Sequence, residues 1–288
     1  MKTGISSGRI ILTLGVFGRD RTGVVARITS FLFGHGANID ELSEKVTRGQ
    51  FAMTVIASWS AKDLRRDNLE SGLRQLGREL GMEVEWRYAS GKAVPRMALF
   101  VTKEPECPDA ILKAVKKGEL KCLPVVMIGT RRNLSSLARR YNIPFVLATF
   151  RNRETAEKQV LKLLSKYEVD FCVLARFMKI LSPGFVWRYR HRVINLHPSL
   201  LPAFPGASPY RQAMEKGVKV VGATAHFADE SLDGGPIIAQ DSFRIKADEA
   251  LDSIVKRGRM IESRVLVRSV KLYLTKRLDV HWGRVYFE

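Results

Sequence analysis

The stretch Val193-Ile194-Asn195-Leu196-His197-Pro198-Ser199-Leu200-Leu201-Pro202 decides how the larger part of this 288-residue chain is interpreted. An apolar run carries an amide and an imidazole two residues apart and ends in a turn bounded by prolines. Because strand side chains alternate with a period of two, Asn195 and His197 are expected to point the same way. A carboxylate, Asp233, follows 233 − 197 = 36 residues after the histidine, just before two glycines.

These three side chains suit direct acyl transfer or hydrolysis. The amide of Asn195 and the protonated imidazole of His197 would stabilise an oxyanion, while Asp233 supports the imidazole and orients the attacking group. Taken singly, the histidine could be structural and the aspartate could only form a turn. The occurrence of Asn195, His197 and Asp233 together favours a catalytic role. Ser199 has no Gly-x-Ser-x-Gly elbow around it, so we interpret it as a hydrogen-bonding turn residue beside the site. His226 is expected to be a supporting partner of the catalytic side chains or a buried structural group.

The wider pattern resembles the N10-formyltetrahydrofolate-utilising family, in which an Asn-x-His pair and a later Asp form the catalytic set. Leu174–Leu181 looks like the family's segment lining the pteridine pocket, and Gly222–Phe227 with Leu232–Ile238 looks like the strand and loop that deliver the Asp. The resemblance runs from about Arg96 to the C-terminus. It implies catalytic roles for Asn195, His197 and Asp233, and folate contacts for Arg176, Phe177, Met178, Ile180, Leu181 and Asp229.

The first ninety residues predict a smaller domain, over 1–89, with the order β-α-β-β-α-β of a ferredoxin-like unit. The expected elements are a strand over 9–17, a helix over 24–35, a hairpin over 37–47 and 50–59, a helix to about 80 and a strand over 82–88. Asp20 or Thr22 is expected to cap the first helix, Gly36 to end it, and Asp63 to cap the second helix.

Short motifs in this domain resemble ACT domains, which are regulatory modules that pair to bind amino acids. The motifs are Asp20-x-x-Gly23 and Gly36-Ala37-Asn38-Ile39. The resemblance implies that Asp20, Gly23 and Asn38 contact an amino-acid effector, with the helix amino end at Gly23 receiving its carboxylate. The alternative is that the glycines only form turns and Asn38 caps a strand. A free sheet edge also leads us to expect a homo-oligomer, either a dimer or a tetramer.

After a linker over 90–95, the second domain, 96–288, is expected to form a mostly parallel, Rossmann-like α/β sheet, because strands alternate with helices. Ligands of such sheets bind at the carboxyl ends of the strands, where Asn195 and His197 are expected. The strands are predicted over 97–101, 123–129, 145–148 and 171–175, and the helices over 108–117, 134–141 and 154–167. A long basic helix over 254–276 and a terminal strand over 280–287 complete the prediction.

Composition limits the classes of protein and of ligand that the sequence allows. No apolar run approaches the ~20 residues of a membrane span. Three cysteines far apart form neither a disulfide framework nor a metal pattern, so we expect a cytoplasmic protein that requires no metal or other cofactor. The net charge of +19 is spread along the chain without a dense basic block, so a solvated basic surface is favoured over nucleic-acid binding.

Three relatives of the family differ in the acceptor of the formyl group. Glycinamide ribonucleotide transformylases hold a phosphate with a glycine-rich loop, but Val101–Pro108 has no glycine and two acids. Methionyl-tRNA formyltransferases need an RNA-binding domain for which too few residues follow Asp233. Formyltetrahydrofolate deformylases join an ACT domain to this catalytic domain, although they usually have histidines where this chain has Pro198 and Glu106.

We therefore expect hydrolysis of 10-formyltetrahydrofolate to tetrahydrofolate and formate, which supplies formate for purine synthesis and balances the one-carbon pool. Formyl transfer to an amine, or a non-catalytic amino-acid sensor, stays the alternative.

Overall fold

A computed structural model describes residues 9–88, 94–276 and 278–287. The chain divides into two compact units, 1–93 and 94–288. Residues 90–93 of the predicted linker lie outside the described residues. Each unit is described by itself below.

The first unit is an antiparallel sheet covered by two helices. Its elements are β1 (Arg9–Arg19), α1 (Val24–Gly34), β2 (Asn38–Thr47), β3 (Gln50–Ser60), α2 (Arg66–Leu80) and β4 (Glu83–Tyr88). The strand order is β2-β3-β1-β4, with all pairs antiparallel. Apolar residues at helical spacing, Ile28 and Leu32 in α1 and Leu69 and Leu73 in α2, are fully buried in its core. The predicted ferredoxin-like order is therefore confirmed.

The predicted N-terminal caps of both helices are wrong, whereas Gly36, with φ 75°, follows the C-cap His35 of α1 as expected. Gly23 itself is the N-cap of α1, in a left-handed conformation with φ 88°, and no side chain caps the helix. A glycine adopts that conformation without strain, so the turn leaves no place for Asp20 or Thr22 as a cap. Asp63 lies in the turn after β3, where its N–H donates to the Ser60 carbonyl at 3.0 Å. It is too early to cap α2, whose N-cap is Arg65.

The second unit contains nine strands and six α-helices among its described residues. They are β5 (Arg96–Val101), α3 (Glu106–Lys116), β6 (Leu123–Gly129), α4 (Ser135–Arg140), β7 (Phe145–Leu147), α5 (Arg153–Lys166), β8 (Phe171–Ala175), α6 (Pro183–Arg188), β9 (Val193–His197), α7 (Pro209–Glu215), β10 (Val220–Phe227), β11 (Ile237–Arg244), α8 (Leu251–Thr275), β12 (Leu278–His281) and β13 (Arg284–Phe287).

Seven of these strands form one sheet in the order β11-β10-β9-β8-β5-β6-β7. The five strands from β9 to β7 run parallel, whereas β10 and β11 are antiparallel to their neighbours. The mostly parallel, Rossmann-like sheet is thus confirmed. The strand β8 lies at the centre of the sheet and is buried on both faces. Phe171, Val173 and Ala175 are buried in one core, and Cys172 and Leu174 are buried in the other. Helices cover both faces, as a parallel sheet requires.

The C-terminal prediction is only partly right. The long helix begins at Leu251 and ends at Thr275, close to the expected bounds. The single terminal strand is wrong, because β12 and β13 form a hairpin. Trp282 and Gly283 turn the chain with φ of 53° and 71°, the left-handed pair that a two-residue hairpin turn needs. Within the described ranges no helix is long and apolar enough to cross a membrane.

Candidate active site

The carboxyl end of β9 places Asn195 and His197 in one cavity of about 630 Å³. β9 lies between β8 and β10, so the backbone on both sides of these residues is held by a sheet. Leu196, between them, is buried in the opposite core. This alternation explains why the two polar side chains share the cavity, as the sequence predicted.

Asp233 reaches the same cavity from the loop between β10 and β11. Its Oδ2 lies 3.1 Å from His197 Nδ1 and accepts a hydrogen bond of 3.0 Å from the Gly206 N–H. Burial alone would raise the pKa of Asp233, but the hydrogen bonds from His197 and Gly206 outweigh it and lower that pKa. The group is therefore a carboxylate at neutral pH.

The second ring nitrogen of His197 faces a backbone carbonyl. Nε2 lies 2.9 Å from the Phe204 oxygen, which can only accept, so Nε2 carries a hydrogen. With Nδ1 facing the Asp233 carboxylate, the imidazolium form donates to both neighbours at once. The loop after β9 therefore fixes the ring plane, and the hydrogen on Nδ1 is the one turned toward Asp233 and the cavity.

His226 orients the amide of Asn195. Burial lowers the pKa of His226, so the ring is neutral. Its Nδ1–H donates to the Phe227 carbonyl at 2.9 Å, which leaves Nε2 as an acceptor for the Asn195 Nδ2–H at 3.1 Å. The amide nitrogen of Asn195 has a second hydrogen, which stays available for a ligand oxygen.

Ser199 lies in the turn and outside the cavity lining. Its hydroxyl donates to the Ala203 carbonyl, and its own carbonyl accepts from the Thr224 hydroxyl at 2.7 Å. These bonds tie the turn after β9 to β10.

The segment expected to contact folate forms one wall of the cavity. Phe177 and Leu181 are buried, whereas Met178 and Ile180 are 66% and 59% exposed. Asp229, which also lines the cavity, accepts a hydrogen bond of 2.8 Å from the Ser231 N–H in the loop that carries Asp233. The cavity is thus apolar along one side and polar near Asn195, His197 and Asp233.

Arg176, at the end of β8, belongs to a buried cluster that the sequence did not reveal. Its Nη1 donates to Glu262 Oε2 at 2.8 Å, and the Tyr210 hydroxyl donates to Glu262 Oε1 at 3.1 Å. Burial raises the pKa of Glu262, although the guanidinium opposes this. The sequence does contain a signal for this cluster that sequence analysis missed. Glu262 lies on the apolar face of α8, beside Ile261 and one turn before Val265 and Leu266, and all four residues are buried.

The expected effector residues are not brought together within one ACT-like unit. Asp20 follows β1 near Gln50 of β3, whereas Asn38 pairs with Ser58 of β3. Eight strand residues separate those positions, about 26 Å. Gly23 lies with Asp20, at the amino end of α1. A single ligand could touch both ends only if they came from two copies of the chain.

Two further features bear on ligands. Among residues 9–88, 94–276 and 278–287, no three His, Cys, Asp or Glu side chains are grouped to hold a metal ion. The loop after β5 leads into α3 with two paired acids: Glu104 lies 3.5 Å from Lys103, and Glu106, at the start of α3, lies 2.9 Å from Arg259 of α8. Carboxylates at this end of α3 would repel a phosphate.

The fold and the site define an ACT-linked formyl transferase, and comparison with known proteins agrees. Residues 95–270 match the formyl transferase family model, and residues 10–87 match the ACT domain model. The chain is 37% identical over 267 residues to the formyltetrahydrofolate deformylase of Bacillus subtilis, covering 91% of this chain and 88% of that one. It therefore belongs to the formyltetrahydrofolate deformylase family.

Two solved structures distinguish similarity over the whole chain from similarity over the second unit alone. A formyltetrahydrofolate deformylase from Pseudomonas syringae has a TM-score of 0.66 at 31% identity, covering 98% of this chain and 95% of that chain. Glycinamide ribonucleotide transformylase 1 from Symbiobacterium toebii has a TM-score of 0.65 at 28% identity, covering 99% of its own chain but 69% of this one. Similarity to the deformylase therefore spans both units.

Proposed function

We propose that this protein hydrolyses 10-formyltetrahydrofolate to tetrahydrofolate and formate. The observation that carries the proposal is the pair His197–Asp233, 3.1 Å apart, in a cavity that also presents the oriented amide of Asn195. Deformylase relatives that match both units support water as the acceptor. The acidic pairs around Glu104 and Glu106 argue against a phosphorylated amine.

The chemistry follows from the hydrogen-bonding partners. The folate lies along the wall formed by Phe177 to Leu181, with its formyl group between Asn195 and His197. A water molecule held by Asp233 attacks the formyl carbon, and the carboxylate accepts its proton. The free hydrogen of the Asn195 amide donates to the oxyanion, and one such donor contributes about 3–4 kcal/mol. The positive charge of the imidazolium stabilises the oxyanion further.

Collapse of the intermediate completes the reaction. The bond between the formyl carbon and N10 breaks, and N10 takes the proton that His197 Nδ1 shares with Asp233. The proton that Asp233 took from water then restores the pair. Formic acid leaves with the second proton of the water and releases it to solvent to become formate. Tetrahydrofolate leaves as well, and no covalent intermediate or cofactor takes part in this scheme.

The ACT unit supports two further proposals. A homo-oligomer, dimer or tetramer, would bring Asp20 and Gly23 of one copy toward Asn38 of another, and an amino acid bound there would act as effector. The edge position of β2, which carries Asn38, supports pairing of two copies. We also propose that residues 90–95 link an ACT domain over 1–89 to a catalytic domain over 96–288.

The test is formate release by the purified protein from 10-formyltetrahydrofolate with no amine present. Asp233→Asn and His197→Ala should each lower kcat by about 10²–10⁴-fold while circular dichroism shows an intact fold. Near-normal rates in either folded variant would overturn the assignment. Formylation of added glycinamide ribonucleotide, without formate release, would favour the transformylase alternative.

A further inference from the structure

The large sheet has a crevice at its carboxyl edge, between the neighbouring strands β5 and β8. The chain leaves β5 toward α3, which is buried with one face of the sheet, and leaves β8 toward α6, which is buried with the other face. Because the two loops diverge to opposite faces, they leave a gap of the kind in which open α/β sheets bind ligands. We call this gap the β5–β8 crevice.

Two adjacent residues of α8 tie the sides of this crevice together. Glu262 accepts a hydrogen bond of 2.8 Å from Nη1 of Arg176, which directly follows β8. Its neighbour Ser263 donates to Cys107 Sγ at 3.7 Å, in the first turn of α3. The helix α8 is buried with the same face of the sheet as α3, whereas the chain after Arg176 turns to the other face. The Arg176 side chain therefore lies across the crevice.

Tyr210 of α7 completes the obstruction. Its hydroxyl donates to the second oxygen of Glu262 at 3.1 Å. A Cβ at Gly258, one turn earlier on α8, would lie 2.4 Å from the Tyr210 ring, so a glycine is needed for the ring to lie against the helix. Glu262 is fully buried, and the Arg176 side chain is 20% exposed. We call Arg176, Glu262 and Tyr210 the crevice barrier.

The crevice barrier borders the catalytic side chains. Arg176 and Tyr210 line the same cavity as Asn195 and His197. Since Leu174 of β8 pairs with Asn195 of β9, Arg176 begins beside His197, about one strand spacing of 5 Å away. The folate-lining wall is buried with α6 on one face of the sheet, whereas the barrier is anchored to α8 on the other. A second substrate that approached the formyl carbon through the crevice would meet the barrier first.

The crevice barrier discriminates by size and by charge. An amine needs room for its substituent beside the formyl carbon, and the guanidinium of Arg176 occupies that room. Displacing it would leave the buried carboxylate of Glu262 without its cation, which is a costly state. The guanidinium also repels the ammonium form in which simple amines exist in neutral water. Water is small and uncharged, so neither effect opposes it.

We propose that Arg176, held by Glu262 and Tyr210, is the specificity-determining residue that excludes amines and leaves water as the acceptor of the formyl group. This rests on the proposed hydrolysis and gives its choice of acceptor a physical cause.

Removing the crevice barrier should admit an amine. Arg176→Ala opens the crevice, and the double variant R176A/E262Q does so without leaving an unpaired buried carboxylate. The new amide oxygen of that variant can still accept from Tyr210. The control is Arg259→Ala, which breaks a different ion pair of α8, with Glu106 at 2.9 Å. Arg259 is not among the described residues that line the catalytic cavity.

The experiment gives each full-length protein 10-formyltetrahydrofolate with an excess of glycinamide, a small primary amine, and measures the ratio of N-formylglycinamide to formate. In the transfer, the amine nitrogen bonds to the formyl carbon, the bond from that carbon to N10 breaks, and one amine proton passes to N10. Both products arise from the same bound folate, so the ratio is insensitive to folate affinity. We expect it to be near zero in wild type and in the control, and at least about tenfold higher in both Arg176 variants.

The outcomes separate the crevice barrier from the hydrolysis on which it rests. A folded double variant that yields only formate would overturn the barrier and leave the hydrolysis standing. An equal rise in the control, or equal ratios in wild type and both Arg176 variants, would also overturn it.

If no protein releases formate or transfers the formyl group, the proposed function fails, and titration with glycinamide tests the crevice barrier by binding. The Arg176→Ala variant should then bind the ammonium group at the freed carboxylate of Glu262, and wild type should not. Binding by the variant that is no tighter than binding by wild type overturns the assignment.

Discussion

The reactivity of His197 depends on two neighbours that the sequence does not identify as partners. The Phe204 carbonyl holds Nε2, and the Gly206 N–H shares the Asp233 carboxylate. Both belong to the turn that follows the Asn-x-His pair. The sequence therefore predicted which side chains meet, but the orientation of the ring depends on backbone groups that have no residue-specific signal.

Asn195 should depend on His226 for its orientation. His226→Leu removes the acceptor for the amide, so Asn195 can rotate and the free hydrogen is no longer aimed at the oxyanion. We expect kcat to fall about 10–100-fold with little change in KM. His226→Gln, which retains an acceptor oxygen, should recover part of the loss. Steady-state kinetics check this, and equal rates for His226→Leu and wild type would contradict it.

His191, before β9, should make stability depend on pH. Burial lowers its pKa to about 4, below the unfolded value of 6.5. The unfolded chain therefore binds this proton first, so stability is full above about pH 6.5 and falls toward pH 4. Between pH 7.5 and 5.0 this group should account for about 2 kcal/mol of the loss.

His191→Asn tests that assignment, because Asn tolerates the left-handed backbone at this position, φ 53°. Urea unfolding at both pH values should show a smaller loss in the variant than in wild type. The same pH response in the two proteins would show that His191 does not titrate as described.

Among the elements, long periodic segments were predictable, whereas of the short ones α4 and β7 were predicted and α6 and α7 were not. β8 and α8 follow directly from apolar runs and helical spacing. α6 and α7 have six and seven residues, too few for a periodic pattern, although a Ser-Pro pair starts each of them. The hairpin of β12 and β13 was missed because Trp282 is an unusual residue for a left-handed turn position.

The loop between β10 and β11 should be intolerant of any side chain at Gly235. A Cβ there would lie 1.9 Å from the Phe227 carbonyl oxygen, so Gly235→Ala must displace the loop that carries Asp233. We expect a loss of about 1–3 kcal/mol in stability and at least a tenfold loss in kcat. Gly184→Ala, in α6 with its nearest neighbour 3.9 Å away, is the control and should be neutral or slightly stabilising. Equal stability and equal kcat for Gly235→Ala and Gly184→Ala, measured by unfolding and by steady-state kinetics, would contradict this explanation.

At the scale of the whole molecule, each unit has its own core. The buried cluster around Leu14 and Trp59 lies within the first unit, and the clusters around Val173, Phe185 and Ile254 lie within the second. A chain shortened to residues 94–288 should therefore fold and retain hydrolysis within about tenfold. The number of such chains per particle should be smaller than the number of full-length chains per particle. Light scattering and the formate assay check this, and an unfolded fragment would show that the second unit depends on the first.

The presence of two units was also visible in the sequence, since the ACT and formyl transferase resemblances rest on motifs in separate parts of the chain. The expected effector site was less accessible to prediction. Asp20 and Asn38 are 18 residues apart in sequence (38 − 20 = 18) yet lie at opposite ends of the sheet. Only the paired strands reveal that separation.

The central claim is that water is the acceptor of the formyl group. The most direct test is a single turnover of 10-formyltetrahydrofolate in H₂¹⁸O, followed by mass analysis of the products. The account predicts formate that carries one ¹⁸O atom, formed in the same amount as tetrahydrofolate. Tetrahydrofolate formed without labelled formate, or a formyl group recovered on an amine, would contradict it.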